Sequence, residues 1–459
     1  MENLHGLKLF FSQVGIPSAI LFILPFASLL GCIALLPLKA SHFWENNKNK
    51  ALVSLGLALP VFIFLLSQEW QVLAAVLLDY AAFLSLLAAL FIISGGIYIR
   101  GSFAGLPWVN TIFLIIGALL SNLIGTTGAS MVLIRPLLRA NKERHHKAHI
   151  VVFFIFIVSN CSGLLTPLGD PPLFLGFLKG VDFGWTLCLY PQWLFVLTSL
   201  LGLFFIFDSI YFKREHQDVH KILKDNDGYA SERFGIEGLS NIIFLLAVAA
   251  VILISGYVVY PMQGNPVLGE PFGSFLSKVV QIAGMLTVAI LSYFFTSKKI
   301  HGKNHFGFGP IVEVAVLFLG IFITMVPALM ILETQGGKLG VSHAWQYFWM
   351  SGALSSFLDN APTYLTFTSL AKGALGLTGE GLRELLTHFP GAYYLAAVSC
   401  GSVFMGANTY IGNGPNFMVK AIAEHGKVKM PSFFGYMVWS GTILIPIFIL
   451  TGFLFFGKV

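Results

Sequence analysis

The sequence predicts an all-α polytopic membrane protein of about ten transmembrane helices plus two re-entrant hairpins, arranged as an inverted-topology repeat. Three observations carry that expectation. The 459 residues are 56% hydrophobic and only 10% charged, with a mean hydropathy of +0.81, whereas soluble chains are about 25% charged. Apolar runs long enough to cross a roughly 30 Å hydrocarbon core recur from end to end. Finally, two apolar stretches are interrupted by turn-forming residues, and a Gly/Pro motif occurs once in each half.

The uninterrupted runs fall at about 16–38, 51–67, 71–99, 148–166, 190–212, 239–260, 276–296, 310–332, 390–410 and 432–456. The first is longer than a signal-peptide core and many similar runs follow, so it reads as an uncleaved first span. The stretch Leu29-Leu30-Gly31-Cys32 within it is a chance likeness to a lipoprotein site. The two interrupted stretches, 107–138 and 345–372, break at Gly125-Thr126-Thr127-Gly128 and Asp359-Asn360-Ala361-Pro362. The arm after each break counts about 10–12 residues, which at about 1.5 Å per residue covers roughly half the hydrocarbon. Re-entrant hairpins over 107–139 and 345–373 are the expected result.

Charge gives the orientation. Arg135, Arg139, Lys142, Arg144 and Lys147 crowd one connector; Lys213 and Arg214 head a second; Lys298, Lys299 and Lys303 mark a third; Lys427 and Lys429 mark a fourth. Connectors 68–70, 261–275 and 333–344 are poor in positive charge. With the basic set on the cytoplasmic side, both termini lie outside, the first hairpin enters from the cytoplasm and the second from the exterior. Residues 1–212 then form one repeat with a broken helix at 148–180. A cytoplasmic linker covers 213–238, and 239–459 is the inverted repeat with a broken helix at 390–425. The net charge of +6 belongs to these loops and does not point to nucleic acid. The four cysteines sit in apolar stretches without paired spacing, so neither a disulfide framework nor a metal site is expected.

The chemistry concentrates where the halves agree. Gly163-Leu164-Leu165-Thr166-Pro167-Leu168-Gly169-Asp170-Pro171-Pro172 and Gly406-Ala407-Asn408-Thr409-Tyr410-Ile411-Gly412-Asn413-Gly414-Pro415 both read Gly-x-x-Thr-x-x-Gly-x-x-Pro, with Phe174 matching Phe417. Leu120-Ser121-Asn122 aligns with Leu354-Ser355-Ser356 just before each hairpin break. Gly and Pro at mid-membrane free carbonyls and amides that hydrocarbon cannot satisfy, so such backbone must be buried in protein or line a wet cavity. Freed carbonyls beside Ser, Thr and Asn oxygens make a hard-oxygen cage suited to Na⁺, while half-helix N-termini attract anions. Glycine and proline that merely kink ordinary spans are the alternative, which the doubling of the pattern disfavours.

Asp170 and Asp359 lie at these breaks. A charge at mid-membrane costs about 2.5–3.5 kcal/mol on insertion scales, so an acid there implies function by default. Removal from water favours the protonated acid and a bound cation the carboxylate, which is the opposition cation–proton exchange needs. The plainer reading of each is a cap on a half-helix N-terminus. Glu313 reads as snorkelling or a structural pair, and Asp79 and Asp208 as interfacial. The histidines at 145, 146, 149, 301 and 305 read as solvated loop residues.

Ser121-Asn122 with Thr126, Thr166-Pro167-Leu168-Gly169-Asp170-Pro171-Pro172, Leu358-Asp359-Asn360-Ala361-Pro362 and Asn408-Thr409-Tyr410-Ile411-Gly412-Asn413 resemble the motifs of the ion transporter superfamily. That group includes sodium–proton antiporters of the NhaD type, arsenite permeases, citrate–metal transporters and sodium-coupled dicarboxylate symporters. The resemblance covers most of the chain and is strongest over 107–185 and 345–430. It implies a homodimeric elevator transporter with two pseudo-symmetric cation sites. Ser121, Asn122, Thr126, Ser356, Asn360 and Thr363 would contribute from the hairpins, and Thr166, Gly169, Asn408, Thr409, Gly412 and Asn413 from the broken helices. The dicarboxylate symporters carry Ser-Asn-Thr at both tips. Here Leu123 follows Ser121-Asn122 and the second tip is Asp359-Asn360, which would repel a carboxylate and favour a cation or proton.

The expected function is exchange of Na⁺ or Li⁺ for H⁺ across the inner (plasma) membrane, with Asp359 as the principal shared carboxylate and Asp170 as the second. Symport of citrate or another organic acid is the alternative, and arsenite-type extrusion stands behind it. A membrane enzyme would need a paired His–Glu metal motif, a Gly-x-Ser-x-Gly elbow or a phosphate loop, and none occurs. The expected partners are a small inorganic cation, protons and lipid. No cofactor or nucleic acid is expected.

Overall fold

Backbone in hydrocarbon must satisfy its own N–H and C=O groups, so each apolar run closes into helix. The computed structural model describes residues 7, 10–12, 16–101, 104–215, 235–255, 270–304, 306–377, 379 and 381–457. The helices in chain order are α1 (Ile16–Lys39), α2 (Asn47–Gln68), α3 (Trp70–Gly95), α4 (Pro107–Ala140), α5 (Ala148–Ile157), α6 (Pro171–Leu178), α7 (Tyr190–Lys213) and α8 (Ser240–Ile254). They continue as α9 (Glu270–Phe295), α10 (Gly309–Gln335), α11 (Ala344–Ser355), α12 (Asn360–Ala374), α13 (Gly391–Met405), α14 (Gly414–His425) and α15 (Phe433–Thr451). Eight stretches among the described residues are long and apolar enough to cross a membrane by length and composition, α4 being one of them. The remainder of the 239–260 run and most of connectors 213–238 and 261–275 lie outside the described residues.

The first interrupted stretch folds back on itself. Asn110 and Asn141 are 31 residues apart, which in a straight helix would separate them by about 46 Å. Instead each amide donates to the other's oxygen, at 3.0 and 2.7 Å. The reversal falls at Gly125, whose φ of 76° is open to glycine and strained for other residues. Its Thr126 N–H leaves the helical ladder and donates to the Gly169 carbonyl at 2.9 Å. The second hairpin turns between α11 and α12. Past the four-residue breaks the return arms are 129–140 and 363–374, twelve residues or about 18 Å each, within the 10–12 expected.

The broken helices run through the middle of the bundle. α5 is buried along nearly its whole length, from His149 to Ile157, and α13 is buried through its second half. Both are enclosed by protein rather than presented to lipid, so neither shows a polar face. The basic connectors meet at one end. The Arg139 guanidinium contacts the Tyr98 hydroxyl and the Ile99 carbonyl. β1 (Tyr98–Arg100) pairs antiparallel with β2 (Gly235–Glu237), and Lys303 bonds Glu237 at 2.8 Å.

Three residues are more enclosed than the sequence suggests. Asp79 and Asp208, read as interfacial, are buried in protein. Asp79 is 4% exposed within α3 and pairs with Lys179 at 2.7 Å and with Lys278. Asp208 is fully buried and holds Arg144 at 2.7 Å and His149 at 2.8 Å. His149 is therefore no solvated loop residue, and its ring also stacks on Tyr211 at 4.4 Å. Each acid tolerates burial because its charge is matched, information that lies in residues 59 to 199 positions away and not in the local pattern. Glu313 does form a structural pair, with Lys50 at 2.6 Å.

Candidate functional site

The breaks in the two broken helices form where the chain crosses itself too closely for a side chain. A Cβ on Gly169 would lie 2.3 Å from the Gly163 carbonyl oxygen, and one on Gly412 would lie 2.5 Å from that of Gly406. The repeated Gly-x-x-Thr-x-x-Gly is thus the same self-crossing made twice. Between the glycines sits a threonine that turns to the neighbouring hairpin. Thr166 Oγ1 donates to the Asn122 carbonyl and Thr409 Oγ1 to the Ser356 carbonyl, both at 2.5 Å. Asn122 and Ser356 are the residues aligned between the halves.

The equivalence extends one residue further. Asn122 Oδ1 accepts from the Leu165 N–H at 2.9 Å, and Ser356 Oγ accepts from Asn408 Nδ2 at 2.9 Å. Leu165 and Asn408 both precede the motif threonine. Ser121 and Ser355 anchor their hairpins to the broken helices through Ser162 Oγ at 2.7 Å and the Ser402 carbonyl at 2.6 Å.

The halves meet at Asp170. It occupies the N-cap position of α6 without capping it and is 1% exposed. Its Oδ1 accepts from Thr126 Oγ1 of the first hairpin at 3.0 Å, and its Oδ2 from Asn360 Nδ2 of the second at 2.7 Å. Asn360 is held in turn by Ser355, whose hydroxyl donates to Asn360 Oδ1 at 2.8 Å. One carboxyl group thereby joins both hairpin turns to the first broken helix. Among the described residues, the other buried carboxylates Asp79, Asp208 and Glu215 each contact Lys or Arg. Asp170 contacts only neutral donors.

Asp359 does something different. It is partly exposed and caps α12, its Oδ1 accepting from the Ala361 N–H at 3.1 Å, while Thr363 Oγ1 bonds its carbonyl at 3.1 Å. The capping alternative describes Asp359 well and Asp170 poorly, the reverse of the ranking expected from sequence. Asn413, the counterpart of Asp170, donates to the Ser159 carbonyl at 3.2 Å and to Asn160 Oδ1 at 3.1 Å. Asn408 Oδ1 is buried without a hydrogen-bond partner, an oxygen of the kind a hard cation accepts.

Sequence reasoning missed Asn160 and Asn416. Asn160 Nδ2 donates to Asn416 Oδ1 at 2.6 Å, and Asn416 Nδ2 satisfies the carbonyls of Gly406 and Thr409 at 2.8 and 2.9 Å. The available signal was a lone amide in apolar surroundings beside each motif.

Matched breaks, carbonyls freed at mid-helix and an uncompensated buried acid belong to a membrane transporter. Residues 16–456 match the CitMHS_2 family, described as Putative citrate transport, and the chain belongs to that family. No curated protein matches the chain.

Proposed function

We propose that this transporter exchanges Na⁺ or Li⁺ for H⁺ across the inner membrane, and that Asp170 is the carboxylate the two ions share. The observation that carries the reading is that Asp170 is buried between Thr126 and Asn360 with no basic side chain against it. An isolated buried carboxylate is too costly to persist, so it takes up either a proton or a metal cation. Both donors sit on hairpin turns, so filling and emptying the site is felt by both halves.

Ser121, Asn122, Thr126, Thr166 and Gly169 support the first cation position, and Ser356, Asn360, Thr363, Asn408, Thr409, Gly412 and Asn413 the second. Asp359 tunes the second position from its cap. The inverted repeat lets one site face either side in turn, and the resemblance extends this to a homodimer moving elevator-fashion. The test is dye-reported proton release from everted vesicles on adding Na⁺ or Li⁺. We expect Asp170→Asn to abolish the signal and Asp359→Asn to reduce it. A full signal from Asp170→Asn overturns the assignment.

The family match favours a second reading, cation-coupled transport of citrate or another organic acid. The N-termini of α6, α12 and α14 would then face the anion, with Asp170 holding the coupling cation. Cation-stimulated uptake of labelled citrate into proteoliposomes, without proton release, would select it.

A further inference from the structure

The helix that begins at Asp170 ends in an ion pair that no part of the cation site requires. α6 has eight residues, a rod of about 12 Å. At its C-cap, Lys179 Nζ contacts Asp79 Oδ2 at 2.7 Å. Asp79 lies on α3 and its other oxygen is held by Lys278 of α9. α3 and α9 pack along each other. α6 packs chiefly on the second hairpin and also touches α3; on the hairpin side Gly176 is so near the Tyr364 hydroxyl that a Cβ would come within 2.4 Å. The Lys179 carbonyl is further held by the Leu382 N–H at 2.6 Å. Asp79 thus has one lysine from the unit that carries the site and one from the spans beside it.

We propose that Asp79–Lys179 is a releasable latch between the site-bearing unit and the α3–α9 pair, and that Lys278 makes its release inexpensive. A site that faces each side of the membrane alternately requires relative motion between the elements holding it and the rest of the bundle. Breaking an ordinary buried pair strands a charge away from water, which is strongly unfavourable. Here Asp79, only 6% exposed at its side chain, keeps Lys278 when Lys179 leaves. Lys179 is already 37% exposed at its side chain, so it leaves toward water. The two ammonium groups also repel each other across Asp79, which weakens the pair that has to break. Two purely structural ties would both strengthen the closed arrangement; a latch and its relief act in opposite directions.

That sign difference is the test, and it needs no knowledge of the transported ion. Hydrogen–deuterium exchange at the amides of residues 173–178 is followed in the full chain in lipid nanodiscs. Lys179→Met removes the latch, and exchange rises about threefold to tenfold. Lys278→Met leaves Asp79 with Lys179 alone, and exchange falls roughly tenfold. A rise in both variants, or no change in Lys278→Met, overturns the proposal. So does failure of both Lys278→Met and Lys278→Gln to fold, which would make Lys278 a structural tie. Because the readout is local opening, the latch can fail while cation–proton exchange stands, and the reverse.

Discussion

Replacing Gly169 by alanine tests the claim that the break is a steric self-crossing. The new Cβ would sit 2.3 Å from the Gly163 oxygen and 2.8 Å from its carbonyl carbon. Both obstacles are backbone, so no side-chain rotation relieves them. The two strands of the crossing must part by roughly 0.7 Å in a close-packed interior. Such overpacking costs about 1–3 kcal/mol. The displaced Gly169 carbonyl is also the acceptor for the Thr126 N–H at 2.9 Å, and stretching that buried bond adds about 1–3 kcal/mol. The expected loss is therefore about 2–6 kcal/mol, with Asp170 displaced as the next residue. Gly441→Ala supplies the control. That residue lies in α15 with nothing within 4 Å of a built Cβ, and alanine there should gain up to about 1 kcal/mol. Unfolding in detergent, followed by tryptophan fluorescence, measures both variants on one scale. A Gly169→Ala stability within about 1 kcal/mol of Gly441→Ala refutes the self-crossing account.

Other outcomes follow from particular pairs. Asn360→Ala removes the donor to Asp170 and the acceptor of Ser355, so stability should fall by about 2–5 kcal/mol and cation-driven flux with it, read by the same unfolding and vesicle assays. The Lys50–Glu313 pair is asymmetric, with the lysine side chain 6% and the glutamate 43% exposed. Glu313→Gln should therefore cost about 1–3 kcal/mol and Lys50→Met less than about 1 kcal/mol, an order that chemical unfolding can check. His301 lies in the basic connector, and burial against Tyr293 and Phe306 holds its imidazole below the ordinary value of 6.5. The folded state then binds fewer protons than the unfolded one. This contribution is complete above the unfolded value and fades as pH falls through the lower folded value. His301→Phe should flatten the stability profile between about pH 7 and pH 5, and an unchanged slope would contradict this.

The features legible in sequence were those written in local pattern. Apolar run length located the helices, and Gly125 and the Gly-x-x-Thr-x-x-Gly motifs located the breaks, because backbone geometry at those points depends on the residue itself. The alignment of Asn122 with Ser356 carried through to equivalent hydrogen bonds from Thr166 and Thr409. What stayed hidden depends on partners far along the chain. Asp208 looked interfacial because nothing nearby announces Arg144 and His149 as its counterions. That Asp170 receives the Asn360 amide while Asp359 caps its own helix was hidden for the same reason. Asn360 lies 190 residues from Asp170, and spacing does not say which carboxylate an amide will reach. Asn160 and Asn416 went unnoticed because a single amide in an apolar run has many other uses.

The cross-links at the crossing bear on how such a chain can arise and persist. Asn416 satisfies carbonyls within its own half but is steadied by Asn160 of the other, and Asp170 borrows a donor from Asn360 across the same divide. Cut between α7 and α8, either fragment would be left in lipid with polar atoms that only its sibling can answer. If the chain descends from a duplicated ancestor, that ancestor had to work as a pair of separate copies. On that premise, Asp170 in one half opposite Asn413 at the matching position of the other would mark where two fused copies came to differ.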